Sequence, residues 1–309
     1  MTSIASTGLS CPAPVGAADR VQLGHGSGGK MSARLLRERF MPHFANDILA
    51  QLGDAAVLEL PHGRLAVSTD TFVVSPLEFP GGDIGALAVH GTVNDLAMMG
   101  AEPRYLTAGF VLEEGLPFDV LDRIVATMAR AAADAGVTIV TGDTKVVERG
   151  RADGMYVNTT GIGVLDDLVR PGPDRAQPGD VVIVSGELGR HGMAVMALRE
   201  GLAFESTITS DTAALTPLVR LLKQVAGSDL RVLRDPTRGG AASALNEIAA
   251  ASRVGISLHE EALPVPTDVH AACEMLGLDP LYVANEGVLV AFVPAVLADR
   301  AVAALRSHP

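Results

Sequence analysis

The amino-acid sequence predicts an α/β protein of two domains, and three observations carry that prediction. Short apolar runs with the two-residue period of strands alternate along the chain with stretches of helical period. The 309 residues suffice for about two hydrophobic cores. Residues 168–180, LVRPGPDRAQPGD, hold three prolines and two glycines, which stop regular structure between the halves. The chain thus divides into a flexible tail (1–20), a first domain (21–167), a linker (168–180) and a second domain (181–309).

In chain order, HGSGGK (His25 to Lys30) puts glycines ahead of a helix from Met31 to Phe40. Free backbone N–H groups and the Lys30 charge suit a phosphate there; the spacing is not that of a P-loop, and an ordinary flexible turn is the other reading. GDAAVLEL (53–60) reads as a glycine turn entering a strand, with Asp54 at its start. Next, Leu65, Val67 and Thr69 alternate with Ala66, Ser68 and Asp70, so a strand delivers the Asp70 carboxylate where a loop opens. Asp83 is an N-cap candidate for a helix whose buried face is Ala86, Val89, Val93, Leu96 and Ala97, closed by Gly100. On another face Gly91 stands one turn before Asp95 and His90 one turn before Asn94, a polar surface without the Lys and Glu of a solvated helix. That face expects a ligand.

A strand at 104–112 leads to a helix of about 16 residues striped by Ile124, Met128, Ala131 and Ala135 and ended by Gly136. VTIVTGDTK (137–145) then repeats the strand-end arrangement with Asp143 and Lys145, and a further strand covers 155–165. In the second half, VVIVSGELG (181–189) is a strand and turn, and helices follow at 191–200 and 212–225. The loop VLRDPTRGG brings Asp235, Thr237, Arg238, Gly239 and Gly240 to the start of a helix at 241–251, either as an anion site or as an ordinary capped start. A strand at 256–259, a helix at 269–276, the apolar run LYVANEGVLVAFV (281–293) and a helix at 295–305 complete the chain. Glu286 interrupts that apolar run; a carboxylate in such company is either at a wet turn or held for chemistry.

Composition excludes several function classes. With 24 basic against 36 acidic residues, a net charge of −12 and no basic stripe, nucleic acid is not an expected partner. Hydrophobic residues make up 48% of the chain, yet no run reaches the roughly 18 apolar residues of a spanning helix, so no membrane partner is expected. Residues 1–20 lack the basic start and apolar centre of a signal peptide, and two cysteines make no disulfide framework. A reducing cytoplasm is the expected location.

Asp54, Asp70, Asp95 and Asp143 each lie at the end of an element in one half of the chain. Two carboxylates about 4 Å apart repel by roughly 4 kcal/mol at an effective dielectric near 20, so four of them meeting would require cations. Oxygen-only ligands favour Mg2+; zinc is disfavoured because the histidines form no H-x-x-x-H pair and Cys11 and Cys273 lie far apart. A magnesium nucleotide fits such a site, with Lys30, Lys145 or backbone N–H groups neutralising the remaining charge. Four scattered caps and turns are the alternative.

Together HGSGGK, GDAAVL, STDTFVVSPLEFPGGDIGALAVHGTVNDLAMMGAEP, TGDTKVV, DPTRGG and YVANEG resemble the HypE family of hydrogenase expression/formation proteins, in the aminoimidazole ribonucleotide synthetase superfamily. The resemblance covers nearly all of residues 20–306. It implies a two-domain α/β (α+β) aminoimidazole ribonucleotide synthetase-like fold whose N-terminal domain pairs strands across a homodimer, with ATP bound between the domains. It also implies an ATP-dependent dehydration, in which the carboxamide carried on a C-terminal cysteine becomes a thiocyanate that supplies cyanide to nickel-iron hydrogenase. The implied partners are the carbamoyltransferase HypF and the HypC-HypD iron-carrying complex.

By the same resemblance Asp54, Asp70, Asp95 and Asp143 hold magnesium and ATP phosphates; the residues read above, Lys30, His90 and Asn94, are expected beside them as cofactor-binding groups. Lys145 and Glu286 match positions that activate or deprotonate the carboxamide, and Asp235, Thr237, Arg238, Gly239 and Gly240 face the phosphates. The family ends in Pro-Arg-Ile-Cys, whereas this sequence stops at Ser307-His308-Pro309, and neither Cys11 nor Cys273 matches the acceptor. A truncated second domain, able to bind ATP without completing the cycle, is therefore expected. The competing expectations are a superfamily enzyme of the selenophosphate synthetase or thiamine-phosphate kinase type, and a non-catalytic, nucleotide-gated assembly protein.

Overall fold

The computed structural model describes residues 19–26, 29–51, 63–165, 169–201 and 208–308. Its first half is built on a four-stranded sheet in the order β1-β6-β4-β5, formed by β1 (Leu65–Phe72), β4 (Ala101–Glu113), β5 (Thr138–Val147) and β6 (Met155–Leu165). Among the described residues only β4 and β5 run parallel in this sheet, joined by α4 (Phe118–Ala135), as a crossover helix requires. Helices α3 (Ile84–Met98) and α4 pack together on one face of this sheet. A two-residue ribbon of β2 (Glu78–Phe79) and β3 (Gly82–Asp83) leads into α3.

Asp83 caps α3, its Oδ1 accepting from the N–H groups of Gly85 (2.8 Å) and Ala86 (2.9 Å). Gly136 ends α4 in the left-handed conformation, with φ of 71°. Among the described residues no helix covers the β1 end of the sheet's other face: Leu65 and Val67 are exposed there, Val67 at 65%. Ahead of the sheet, the helix expected at 31–40 is α1 (Gly29–Leu35) followed by a wider π turn to Phe40 and a short α2 (Met41–Phe44). The strand read at 53–60, and Asp54 with it, lie outside the described residues.

The second half holds a three-stranded antiparallel sheet, β7 (Asp180–Val184), β9 (Val290–Pro294) and β8 (Val232–Arg234), with β9 central. Alternation along β9 serves two cores. Ala291 and Val293 meet α6 (Thr216–Ala226) and α9 (Ala295–Arg306), whereas Val290 and Phe292 meet α7 (Gly240–Ser252). A further cluster joins α5 (Arg190–Arg199) to α8 (Thr267–Leu276) and buries Cys273. Ala97 and Met98, at the end of α3, enter the core under α6 and thereby connect the halves.

The structure departs from the sequence expectations at three places. Residues 256–259 pair with no strand among the described residues: Ile256 packs on the α7 core while Leu258 stays exposed. Residues 280–282 form a 3-10 turn, because Pro280 starts it and the Asp279 side chain caps the Leu281 N–H at 2.9 Å. Helix α6 begins at Thr216 rather than Thr212, since the residues before it form a strap bonded to α3.

Candidate functional site

A cleft of about 660 Å³ separates the two halves, lined on one side by Asp70, Gly91 and Asp95 and on the other by His191, Asp235, Thr237, Arg238, Gly239 and Glu286. Strand β1 turns Ser68, Asp70 and Phe72 toward α3, and the Ser68 hydroxyl donates to Asp95 Oδ2 at 2.6 Å. Gly91 lets that approach happen, since a Cβ there would stand 2.8 Å from the Phe72 ring. Across the cleft Arg238, itself open to solvent, places Nη2 4.0 Å from Asp70 Oδ1.

Glu286 is held by its backbone rather than its carboxylate. Its N–H donates to the Asp211 carboxylate (3.2 and 3.3 Å), and its carbonyl accepts from Asn94 Nδ2 (3.1 Å). Gly287 must follow, because a Cβ would lie 1.7 Å from the Asp211 carbonyl oxygen. Asn285 is fully buried: its Oδ1 accepts from the Gly189 N–H (2.7 Å) and its Nδ2 donates to the Pro236 carbonyl (2.9 Å), joining three loops.

This clustering of acids shifts their titration. Burial, then the Asp235 charge, pushes Glu286 up to about 8. Burial, then Asp95, raises Asp235 to about 6, and burial raises Asp95 against the lowering effect of Ser68. Glu286 is therefore largely protonated at neutral pH, and a cationic occupant would favour release of that proton. Among the described residues, no three His, Cys, Asp or Glu side chains are arranged to hold a metal alone. An oxygen-only, mutually repelling set of this kind suits a Mg2+ that keeps waters and phosphate ligands of its own.

The structure does not bring all the expected residues together. Asp143 and Lys145 pair with each other (2.6 Å), and that bond holds the Asp143 carboxyl below its usual range. They line a separate cavity of about 490 Å³, beside His25, Phe40, Phe44 and Phe110. Register explains the separation. Asp143 pairs with Gly109, Gly109 with Asn158, and Asn158 with Thr71, so Asp143 is three strand spacings, roughly 14 Å, from β1 and on the face opposite to Asp70.

Asn94, expected to face a ligand, is 1% exposed and clamps the strap instead, with its Nδ2 donating to the Ala213 carbonyl (2.9 Å) and its Oδ1 accepting from the Leu215 N–H (2.7 Å). His90 likewise meets Thr212 Oγ1 through Nδ1 (3.3 Å), and burial lowers its pKa to about 4. Lys30 is exposed and lines neither cavity. Gly240 packs against the backbone, where a Cβ would meet the Leu281 carbonyl oxygen at 2.3 Å, leaving Asp235, Thr237, Arg238 and Gly239 as the cleft-lining part of that loop.

Sequence reasoning missed Ser68, His191 and Asp211. The glycines around His191 in GRHG were a usable signal, whereas nothing local distinguishes Asp211.

Comparison with known proteins adds to this geometry. A family model for AIR synthase related proteins, N-terminal domain, matches residues 52–165, and one for their C-terminal domain matches residues 177–309. The chain is 54% identical over 289 residues to the carbamoyl dehydratase HypE of Azotobacter vinelandii, covering 94% of this chain and 84% of that protein. It is 48% identical to the carbamoyl dehydratase HypE of Escherichia coli, covering 94% of this chain and 88% of that one. Among solved structures it resembles the hydrogenase maturation protein HypE in complex with ATP, at a TM-score of 0.88 and 54% identity, over 92% of this chain and 84% of that one. It also resembles a chain of a HypE-HypF complex, at a TM-score of 0.78 and 50% identity, over 89% of this chain and 88% of that one.

Proposed function

This chain belongs to the HypE family of AIR synthase related proteins, and from that premise we propose how its cleft performs an ATP-dependent carbamoyl dehydration in hydrogenase maturation. The observation that carries the assignment to this cleft is the meeting of Asp70, Asp95, Asp235 and Glu286 between the halves. The substrate is a primary carboxamide on a cysteine sulfur. Its oxygen is a poor leaving group until it attacks the γ-phosphorus of ATP and ADP departs. Loss of phosphate and of both N–H protons then leaves the C≡N group on sulfur.

Asp95, with Asp70 or Asp235 beside it, would hold Mg2+ together with phosphate oxygens and waters, and when bound the ion would supply charge neutralisation for the phosphates. Thr237, Arg238 and Gly239, before the start of α7, face those phosphates. Glu286 is the proton acceptor for the carboxamide nitrogen. Its elevated pKa matches a base working near neutral pH, and its backbone anchors to Asp211 and Asn94 fix its position.

The uncovered sheet face, with Val67 and Leu65 exposed, is the surface on which a second copy pairs. Asp143 and Lys145 share that face, so their part in the reaction is exercised across the homodimer. HypF is the partner that delivers the carbamoyl group, and HypC-HypD accepts the cyanide.

The experiment is turnover of an S-carbamoylated peptide ending in Pro-Arg-Ile-Cys with ATP and Mg2+. Thiocyanate formed by the wild type and lost in Asp95→Asn supports the reading. Equal turnover in both proteins overturns it.

A further inference from the structure

His191 is 8% exposed and sits in the first turn of α5, on the cleft wall that also carries Glu286. The wall is built by close approach. A Cβ on Gly192 would lie 2.5 Å from Val283 Cγ1, and the Gly192 N–H donates to the Ala284 carbonyl at 3.0 Å, two residues from Glu286. The His191 ring stands edge-on to Phe79, with centroids 5.4 Å apart, which limits its rotation.

Its partner accommodates the Nε2–H tautomer. His191 Nδ1 lies 2.9 Å from Ser210 Oγ, and that oxygen already accepts the Thr212 N–H at 3.1 Å. With the Ser210 hydroxyl hydrogen donated to Nδ1, the ring proton sits on Nε2. Burial holds the imidazole neutral, lowering its pKa to about 4. Nε2 has no partner among the described residues and is not sealed from solvent, on a side chain that lines the cleft.

We propose that His191 donates from Nε2 to the carboxamide oxygen as that oxygen is phosphorylated, orienting it opposite the Asp70 and Asp95 wall. No proton is transferred, since the donor keeps its hydrogen throughout. The role deepens the dehydratase reading and rests on it. It places a neutral donor where a cationic one would compete with the metal for the acidic groups.

The test compares wild type, His191→Asn and His191→Gln with the carbamoylated peptide and saturating ATP, alongside calorimetric ATP titration and thermal unfolding. Asn keeps an acceptor at the Nδ1 position and removes the Nε2 donor, whereas Gln carries an N–H at the Nε2 position. The expected result is a fall of about a hundredfold in the rate for Asn and recovery of about tenfold in Gln, with ATP affinity within about threefold of wild type in both. Equal loss in the two variants, or none in Asn, overturns the His191 role while leaving the dehydratase reading standing. Absence of turnover in wild type overturns that reading instead. Long-range 1H-15N spectra of the labelled histidines supply the second readout. The expected signature at His191 is protonated Nε2 with bare Nδ1 from about pH 5.5 to 8, and the opposite tautomer contradicts the proposal.

Discussion

Replacing Glu286 by Gln removes a charge from the most crowded acidic position in the cleft while keeping shape and hydrogen-bonding reach. The Glu286 carboxyl, ordinarily near 4.5, is pushed up to about 8 by burial and then by Asp235, Asp211, Asp70 and Asp95. Between those two values the folded protein binds the proton that the unfolded chain releases. Its contribution to stability is therefore fully present below pH 4.5 and is lost as pH rises through 8. At 1.36 kcal/mol per unit the whole shift corresponds to at most about 5 kcal/mol. Water in the open cleft relaxes the charged state, so the expected difference is about 1–3 kcal/mol.

Urea unfolding of the two proteins without nucleotide, at pH 5, 7 and 9, reads this directly. The expected result is a Glu286→Gln variant that matches wild type at pH 5 and exceeds it increasingly toward pH 9. A difference that is constant across this range, or one that favours wild type at pH 9, refutes the argument that the carboxylates repel one another here. The same titration predicts that kcat/KM of the wild type rises with pH through an apparent value near 8, and that this limb disappears in the Gln variant along with most of the activity.

Further outcomes follow from the same geometry. Asn94→Ala deletes the side chain that bonds Ala213, Glu286 and Leu215, leaving buried polar groups unpaired. It should cost about 2–4 kcal/mol in urea unfolding, and a loss below about 0.5 kcal/mol would contradict the clamp. Gly287→Ala drives a Cβ into the Asp211 carbonyl; loss of about 2 kcal/mol or more is expected by thermal unfolding, together with weakened ATP binding. Val67→Lys, on the uncovered sheet face, should leave urea-unfolding stability at low protein concentration within about 0.5 kcal/mol and, on the proposed pairing of two copies, give a monomer in light scattering where the wild type gives a dimer. A wild type that is monomeric, or a Val67→Lys variant that remains dimeric, would contradict pairing on this face.

Much of the architecture was legible because local chemistry and tertiary packing agree. Asp83 reads as a cap and caps; Gly136 reads as a stop and adopts the left-handed turn. The period-two pattern of residues 65–70 marks the strand, although its apolar members Leu65 and Val67 lie on the exposed face. The errors arise where a side chain's partner is distant in sequence. Asn94 and His90 look free on a helical wheel, yet their partners are Ala213, Leu215 and Thr212 in a strap whose position no local pattern encodes. Asp143 echoes Asp70 in its strand-end setting, but the sheet order β1-β6-β4-β5 and the alternation of faces put the two on opposite surfaces. Sequence gives the period of a strand and not its neighbours. Asp211 was missed for a similar reason, since only the fold brings it to the Glu286 N–H.

The most direct measurement of the central claim is mass analysis of the S-carbamoylated Pro-Arg-Ile-Cys peptide after incubation with ATP, Mg2+ and either the wild type or Asp95→Asn, with thermal unfolding confirming that both are folded. The account predicts ATP-dependent loss of one water from the peptide with the wild type and none with Asp95→Asn. ATP hydrolysis without that loss, or equal loss with both proteins, would contradict the assignment of dehydration to the cleft between the two halves.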